Sequence, residues 1–238
     1  MPPALRLSAI SHSFAASPAL TNVSLDVAPH EIVAVVGPSG CGKSTLLRIA
    51  ASLMVPDAGE VHRTGARVGF VFQEPALLPW RRVRDNARVL VTDPNDELLV
   101  DELLHTSGLE PHCEKWPHEL SGGMKMRLAL VRTMASRPDV VLADEPFGAL
   151  DQITRNHMHD ELLRLHAERP FAMVVVTHAI DEAVYLADRV FTMSPAPGRI
   201  VAETEVKLPR PRRAGLRYDA EFAALCGRVA TTLGGSIA

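Results

Sequence analysis

Residues 37–44 read Gly-Pro-Ser-Gly-Cys-Gly-Lys-Ser, a G-x-x-x-x-G-K-S spacing set between a short apolar run and a run of helix formers. This pattern suits one chemical problem, the crowding of several negative oxygens into a small volume. Glycines let backbone N–H groups approach an anion closely, and a helix start adds positive potential. A nucleoside triphosphate is the expected occupant. Lys43 would reach the β- and γ-phosphates, the Ser44 hydroxyl would ligate Mg²⁺, and Thr45 would contact the α-phosphate. Gly37, Pro38, Ser39, Gly40, Cys41 and Gly42 form the cradle. The loop by itself does not separate kinase, GTPase, helicase and transport ATPase. A thiol at Cys41, beside a helix N-terminus, is expected to have a lowered pKa and to be alkylated unless ATP protects it.

Two polar strand ends supply the remaining chemistry. Val140-Val141-Leu142-Ala143 ends in Asp144-Glu145, and ligands sit at strand ends in open α/β sheets. Asp144 suits a Mg²⁺ role through water. Glu145 lies where a carboxylate could polarise an attacking water, a contribution of about 10²–10⁴ in rate for a general base. Val174-Val175-Val176-Thr177 ends in His178, which could hydrogen-bond the γ-phosphate. Gln73, after Val68-Gly69-Phe70-Val71-Phe72, could touch Mg²⁺ or the water.

These residues need a frame. Residues 5–10, 23–27 and 31–36 read as strands, the last an unbroken apolar run of the kind covered on both faces. A helix is expected over 44–51, with short strands around 60–61 and 67–72. From about 85 to 137 the pattern is helical, with Asn95 capping a helix over 96–105 and Ser121 starting one over 122–135. Strands at 140–143 and 171–176 flank a helix capped by Asp151. A helix at 181–186 and strands at 189–193 and 199–202 complete an α/β sheet with a helical insertion. The chain is taken as one domain, residues 1–238. Its core spans about 1–74 and 139–206, with a helical subdomain at about 75–138 and a tail at about 207–238. The basic run Lys207, Arg210, Arg212, Arg213 and Arg217 reads as a solvated tail.

Composition narrows the classes further. Of the 238 residues 47% are hydrophobic and 22% charged, as in ordinary globular domains, and a net charge of -3 argues against a nucleic-acid coat. No run approaches the roughly 18 apolar residues that span a bilayer, so membrane helices would belong to another chain. The start lacks the basic and apolar regions of a signal peptide. Cys41, Cys113 and Cys226 form neither a disulfide framework nor a metal pattern, which fits a reducing compartment. The ten histidines show no HExxH spacing.

One segment narrows the class sharply. Leu120-Ser121-Gly122-Gly123-Met124 resembles the LSGGQ signature of ABC ATPases, about twenty residues before Asp144. Gln73, Asp144-Glu145, Gly148-Ala149-Leu150-Asp151 and His178 then follow the family's order. The resemblance implies a RecA-like P-loop core with an antiparallel β subdomain and an inserted α-helical subdomain. It implies ATP and Mg as ligands, and a head-to-tail homodimer in which Ser121, Gly122 and Gly123 bind the γ-phosphate held by the opposite subunit. Phe14, 29 residues before Lys43, stands where the family stacks an aromatic on adenine. Phe72-Gln73-Glu74-Pro75-Ala76-Leu77-Leu78-Pro79-Trp80 and Ser194-Pro195-Ala196-Pro197-Gly198-Arg199-Ile200 look like the nitrate/sulfonate/taurine-type importer ATPases. That likeness implies membrane permease subunits touching Leu77, Leu78 and Trp80, indirectly a substrate-binding protein, and a cytoplasmic place on the inner face of the membrane.

Met124 in place of glutamine, Met126, and Ala143 before Asp144 depart from the usual signature without removing a chemical group. A DNA-repair or chromosome-type ATPase would need a coiled-coil or zinc-bearing insertion between Gln73 and Ser121. A silent nucleotide-binding regulator would lack Glu145 or His178. An exporter would carry fused membrane helices. No long segment follows the last motif, which disfavours the sugar-importer type with its regulatory domain.

Overall fold

The structure is a computed structural model that describes residues 2–15, 17–65, 67–93 and 96–235. Asn95, expected as a helix cap, lies outside the described residues. Among the described residues nine strands form two sheets. A three-stranded antiparallel sheet has the order β2-β1-β4, from β1 (Leu5–Phe14), β2 (Ser17–Val27) and β4 (Ala58–Arg63). A six-stranded sheet has the order β5-β6-β7-β3-β8-β9, from β3 (Ile32–Val36), β5 (Val68–Val71), β6 (Val140–Asp144), β7 (Ala172–Thr177), β8 (Arg189–Met193) and β9 (Ile200–Glu205). The pairs within β5 to β8 are parallel, and β9 closes one edge antiparallel.

Alternation along the central strands divides the core in two. Val33, Val35, Leu142, Val174 and Val176 face the antiparallel sheet and helix α1 (Lys43–Ala50). Ile32, Ala34, Val36, Val141, Met173 and Val175 face the helical layer. That layer holds α2 (Val83–Arg88), α3 (Glu97–Thr106), α4 (Gly122–Ala135), α5 (Gln152–Glu168), α6 (Ile180–Leu186) and α7 (Ala220–Gly235). Both faces of β3 and β7 are buried, which is why their sequences are unbroken apolar runs.

The first hairpin is longer than its pattern predicts. Ala9 and Asn22 sit at φ 54° and φ 52°, and the pairing register shifts between Leu7 and Ile10 and again before His12. Each irregularity resets the alternation, so the apolar period stops while the pairing continues to Phe14 and Ser17. Ser24 Oγ and Ser11 Oγ accept the N–H groups of Ala9 and Asn22.

The expectation of a solvated tail is overturned for Arg212, Arg217 and the helix that follows them, while Lys207 and Arg213 are exposed. Phe222, Leu225 and Val229, at i, i+3 and i+7 of α7, are buried in the helical-layer core. Arg212 is buried and donates to the carbonyls of Val184, Tyr185 and Ala187, satisfying the C-terminal end of α6. Arg210 donates to Asp188 at 2.7 Å, and the Arg217 guanidinium stacks 3.4 Å over the Tyr185 ring. Arg210 and Arg212 are tied to the fold because α6 leaves carbonyls for them to meet, whereas Lys207 and Arg213 of the same run are exposed.

Candidate functional site

Strand pairing assembles the site. Val36 pairs with Thr177, and Asp144 pairs with Val176. The loops that leave β3, β6 and β7 therefore emerge side by side at one edge, carrying Gly37, Glu145 and His178. This is where an open parallel sheet binds ligands.

The cradle depends on glycine at specific points. Gly42 caps α1 at φ 100°, and a Cβ there would come within 2.7 Å of Leu20 Cδ2 and 2.9 Å of the Ala19 carbonyl. No other residue fits that conformation and that space. Because Gly42 has no side chain, no cap hydrogen bond consumes the first-turn N–H groups of α1, and they stay available to an anion. Lys43 is buried, and its Nζ donates to the carbonyls of Gly37 at 2.8 Å and Pro38 at 3.0 Å. Phe14, Ala19, Ser39, Gly40, Gly42, Lys43, Ser44, Thr45 and Glu145 line one cleft of about 290 Å³. Phe14 is 50% exposed at the mouth, its ring edge-on to His12 at 4.9 Å. Ala19 has no motif to mark it; the β1–β2 hairpin brings it there.

The Ser44 hydroxyl donates to Asp144 Oδ1 at 2.8 Å. Burial pushes the Asp144 carboxyl above the usual carboxylate range and Glu145 adds to the rise, while the Ser44 hydrogen bond, Arg48 and Lys43 act against it. A hydroxyl and a half-buried carboxylate are hard oxygen donors that fit Mg²⁺. Among the described residues no group of three or more His, Cys, Asp or Glu could hold a metal ion, so Mg²⁺ would complete its shell with phosphate and water.

Glu145 stands apart in backbone and partner. Its φ of 44° is left-handed, a strained state for a side chain of this size. Its N–H donates to the Val176 carbonyl, and its Oε2 lies 3.0 Å from His178 Nδ1. A Cβ on Gly148 would lie 3.7 Å from Glu145 Oε2 and 3.8 Å from Gln73 Nε2, so the two side chains converge on that glycine. Lys43, Ser44, Asp144, Glu145, His178 and Gln73 are thus brought to one end of the sheet.

Cys41 corrects an expectation. Its side chain is fully buried and turns beneath the loop, where Sγ would lie 2.8 Å from a Cβ on Gly37. Burial pushes the thiol up, against a smaller opposing effect of Lys43. A lowered pKa and ready alkylation therefore do not hold; the helix start acts on a group that has lost its water.

Residues 121–123 lie apart from the cleft. Ser121 caps α4, its Oγ accepting the Met124 N–H at 3.3 Å, and both Ser121 and Gly122 are exposed. Gly123 is buried, and a Cβ there would come within 2.7 Å of Thr154 Cγ2 on α5. Helix packing alone therefore favours glycine there, because any Cβ would force Thr154 to shift. Trp80 is 70% exposed, whereas Leu77 is half-buried against the helical-layer core. The Leu78 backbone exchanges hydrogen bonds with the buried Asn86 amide. No helix among the described residues is long and apolar enough to cross a membrane.

With this geometry in place, the comparisons with known proteins agree. The ABC transporter family model matches residues 20–148. The aliphatic sulfonates import ATP-binding protein SsuB 1 of Pseudomonas syringae pv. syringae is 42% identical over 98% of each chain. Its namesake in Xanthomonas axonopodis pv. citri is 44% identical, covering 87% of this chain and 88% of that protein. Among solved structures, cbiO1 of Clostridium perfringens, part of the ABC transporter complex cbiONQ, matches with a TM-score of 0.78 at 25% identity over 87% of this chain and 90% of that one. The ATP-binding cassette MJ0796, in a dimeric post-hydrolysis state bound to ADP and Pi, matches with a TM-score of 0.75 at 29% identity over 86% of this chain and 100% of that one. A P-loop cradle opening α1, a carboxylate–histidine pair at the neighbouring strand ends and a family match over most of the chain lead to one conclusion: the chain belongs to the ABC transporter ATP-binding family and is an ATP-hydrolysing subunit.

Proposed function

We propose that this chain works as a homodimer on the cytoplasmic face of the membrane, energising import of an aliphatic sulfonate. The substrate class rests on the sulfonate-import relatives at 42–44% identity over most of the chain. The chemistry rests on one observation, the 3.0 Å contact between Glu145 and His178 at the end of the sheet that carries the Lys43 cleft.

In this scheme adenine stacks on Phe14 and the phosphates enter the cradle of Gly37, Pro38, Ser39, Gly40, Cys41 and Gly42. Cys41 contributes backbone only. Lys43 exchanges the carbonyls of Gly37 and Pro38 for the β- and γ-phosphate oxygens, a charge-assisted contact stronger than the neutral one it leaves. Thr45 meets the α-phosphate. Ser44 would hold Mg²⁺ directly and Asp144 through water, with Gln73 as a further oxygen donor; the ion would supply charge neutralisation to the phosphates. Glu145 accepts a proton from the attacking water, whose oxygen forms the new bond to the γ-phosphorus while the bond to the β–γ bridging oxygen breaks. His178 holds Glu145 and the γ-phosphate in register. ATP and water become ADP and phosphate.

Ser121, Gly122 and Gly123 stand outside the cleft of their own subunit, so they serve the γ-phosphate of a second copy across a two-fold axis. The exposed Trp80, with Leu77 and Leu78, offers an aromatic anchor to a permease subunit. A binding protein outside the membrane completes the system.

Two measurements test this. Glu145→Gln should keep ATP binding and trap an ATP-bound dimer while turnover falls about 10²–10⁴-fold; full turnover overturns the general-base role. Uptake of labelled ethanesulfonate and of nitrate, in cells with and without this chain, tests the solute. Loss of nitrate uptake alone overturns the sulfonate assignment.

A further inference from the structure

Beneath the loop that carries Glu145 lies a buried histidine–glutamate couple that the chemistry above does not use. His159 of α5 and Glu182 of α6 have side chains 2% and 3% exposed, with His159 Nε2 3.1 Å from Glu182 Oε2. Apolar side chains of the same volume would stabilise such a site at least as well, so stability alone gives no reason for the pair. Among the described residues His159 Nδ1 is buried without a partner, so this polar cluster is not even fully satisfied.

The position of the pair supplies the reason. Glu182 is in the first turn of α6, one helical turn after His178. The cap of that helix, Ala179, offers no side-chain hydrogen bond and its own N–H goes back to Thr177 Oγ1, so the Glu182 contact is the side-chain hydrogen bond that ties the first turn of α6 to α5. On its other side the His159 ring meets Phe147 edge-on, with centroids 4.9 Å apart. Phe147 is fully buried two residues after Glu145, and the turn around it is closed by Gly148 N–H to the Glu145 carbonyl and Leu150 N–H to the Phe147 carbonyl. One imidazole thus touches both arms that carry the hydrolytic couple: the Glu145 arm through Phe147 and the His178 arm through Glu182. The strained φ of Glu145 requires rigid surroundings of this kind.

We propose that His159 and Glu182 are positioning residues that hold His178 against Glu145, an inference that rests on the hydrolytic roles given above to those two. The α5–α6 contact has a second, independent tie, because Tyr185 Oη donates to Asp160 at 2.6 Å under the Arg217 guanidinium. Removal of the pair should therefore loosen the couple without separating the helices.

The experiment is a double-mutant cycle on the full chain, reading kcat and KM for ATP with fluorescent-nucleotide affinity. His159→Leu should lower kcat about tenfold with KM and nucleotide affinity within about twofold, since misplacement of reacting groups costs turnover and not uniform binding. His159→Gln, which keeps a donor for Glu182, should stay within about threefold of the parent. His178→Ala should itself lower kcat, and adding His159→Leu to it should cost clearly less than the same change costs the parent, because the Glu182 side of the pair acts through His178 and only the Phe147 contact is left to lose. Full turnover in His159→Leu, or losses that multiply in the double variant, overturns the proposal. Unchanged turnover in His178→Ala alone instead removes the role of His178 and this inference with it. Glu182→Gln keeps the shape of the site and runs through the same cycle should the leucine variant not fold, with a several-fold loss expected and parental kcat overturning the proposal.

Discussion

The starts of α1 and α4 are both glycine-rich helix N-termini, and they solve opposite problems. At α1 the cap is Gly42, left-handed and without a side chain, so the N–H groups of the first turn face the cleft unclaimed. At α4 the cap is Ser121, whose hydroxyl already holds the Met124 N–H. Gly42 is required by backbone conformation and by Leu20 packed against it, whereas Gly123 is favoured because any Cβ there would force Thr154 of α5 to shift. One helix start leaves its first-turn N–H groups open towards the cleft of its own subunit. The other is a rigid exposed edge, set by packing and ready to meet something else. Similar composition therefore reflects conformational freedom in one place and close approach in the other.

That contrast can be broken in several ways. Lys43→Ala removes the only cationic side chain lining the cleft among the described residues, and nucleotide affinity should fall by about two orders of magnitude or more, at roughly 1.4 kcal/mol per tenfold. A nucleotide titration by fluorescence checks this; unchanged affinity would mean that Lys43 keeps its carbonyl partners when the phosphates arrive. Gly42→Ala and Gly123→Ala separate the two uses of glycine. The first should abolish nucleotide binding, with a backbone cost of about 1–2 kcal/mol added to the clash with Leu20. The second should leave nucleotide affinity of the single subunit intact and lower the Tm, since Thr154 must shift. Equal losses of affinity in both variants would erase the distinction.

Asp144 sharpens the comparison through pH. Its carboxyl is raised in the folded chain, so between the ordinary carboxylate pKa of about 4 and the raised value the folded state holds more protons than the unfolded one. Stability should therefore fall as pH rises through that window, and Glu161, raised by burial, adds the same sign. Asp144→Asn should flatten part of that fall and raise the Tm at neutral pH while removing Mg²⁺-dependent turnover. A Tm lower than the parent at neutral pH would contradict it. The smallest effect is expected for Ser121→Ala, a lost cap worth about 1 kcal/mol, or roughly 2–4 °C in Tm for a chain of this size. ATP binding by the isolated subunit should not change, whereas turnover, which needs the second copy, should drop. Reduced binding in the isolated subunit would place Ser121 within its own site.

Much of the site was legible because short local motifs carry it. Gly42-Lys43-Ser44, Asp144-Glu145 and Ser121-Gly122-Gly123 each combine residue type with position at a strand end or helix start, and all fall where the pattern puts them. Asp151, expected to cap α5, does so through the Ile153 and Thr154 N–H groups. Cys41 departs from its expectation because burial beneath the loop, against Gly37, raises the thiol by more than the nearby Lys43 ammonium lowers it, and a short window of sequence does not show that burial. The C-terminal segment was misjudged because a basic, proline-rich run looks the same whether water or the open carbonyls of α6 receive its guanidinium groups. Ala19 and His12 carry no signal at all, since their places come from a hairpin whose bulges erase its period.

The sequence by itself determined the chemistry this chain can perform, since the motifs specify which groups stand at which strand ends and which helix start lacks a side-chain cap. Only the tertiary structure decided the left-handed Glu145 and its contact with His178, the packing role of Gly123, the burial of Cys41 and the docking of α7. The physical reason is range. A glycine turn or a helix cap is satisfied within four residues, and its cause can be read in a short window. Burial and the meeting of side chains from β6 and β7 depend on pairings between strands about thirty residues apart, and no short window of sequence contains them.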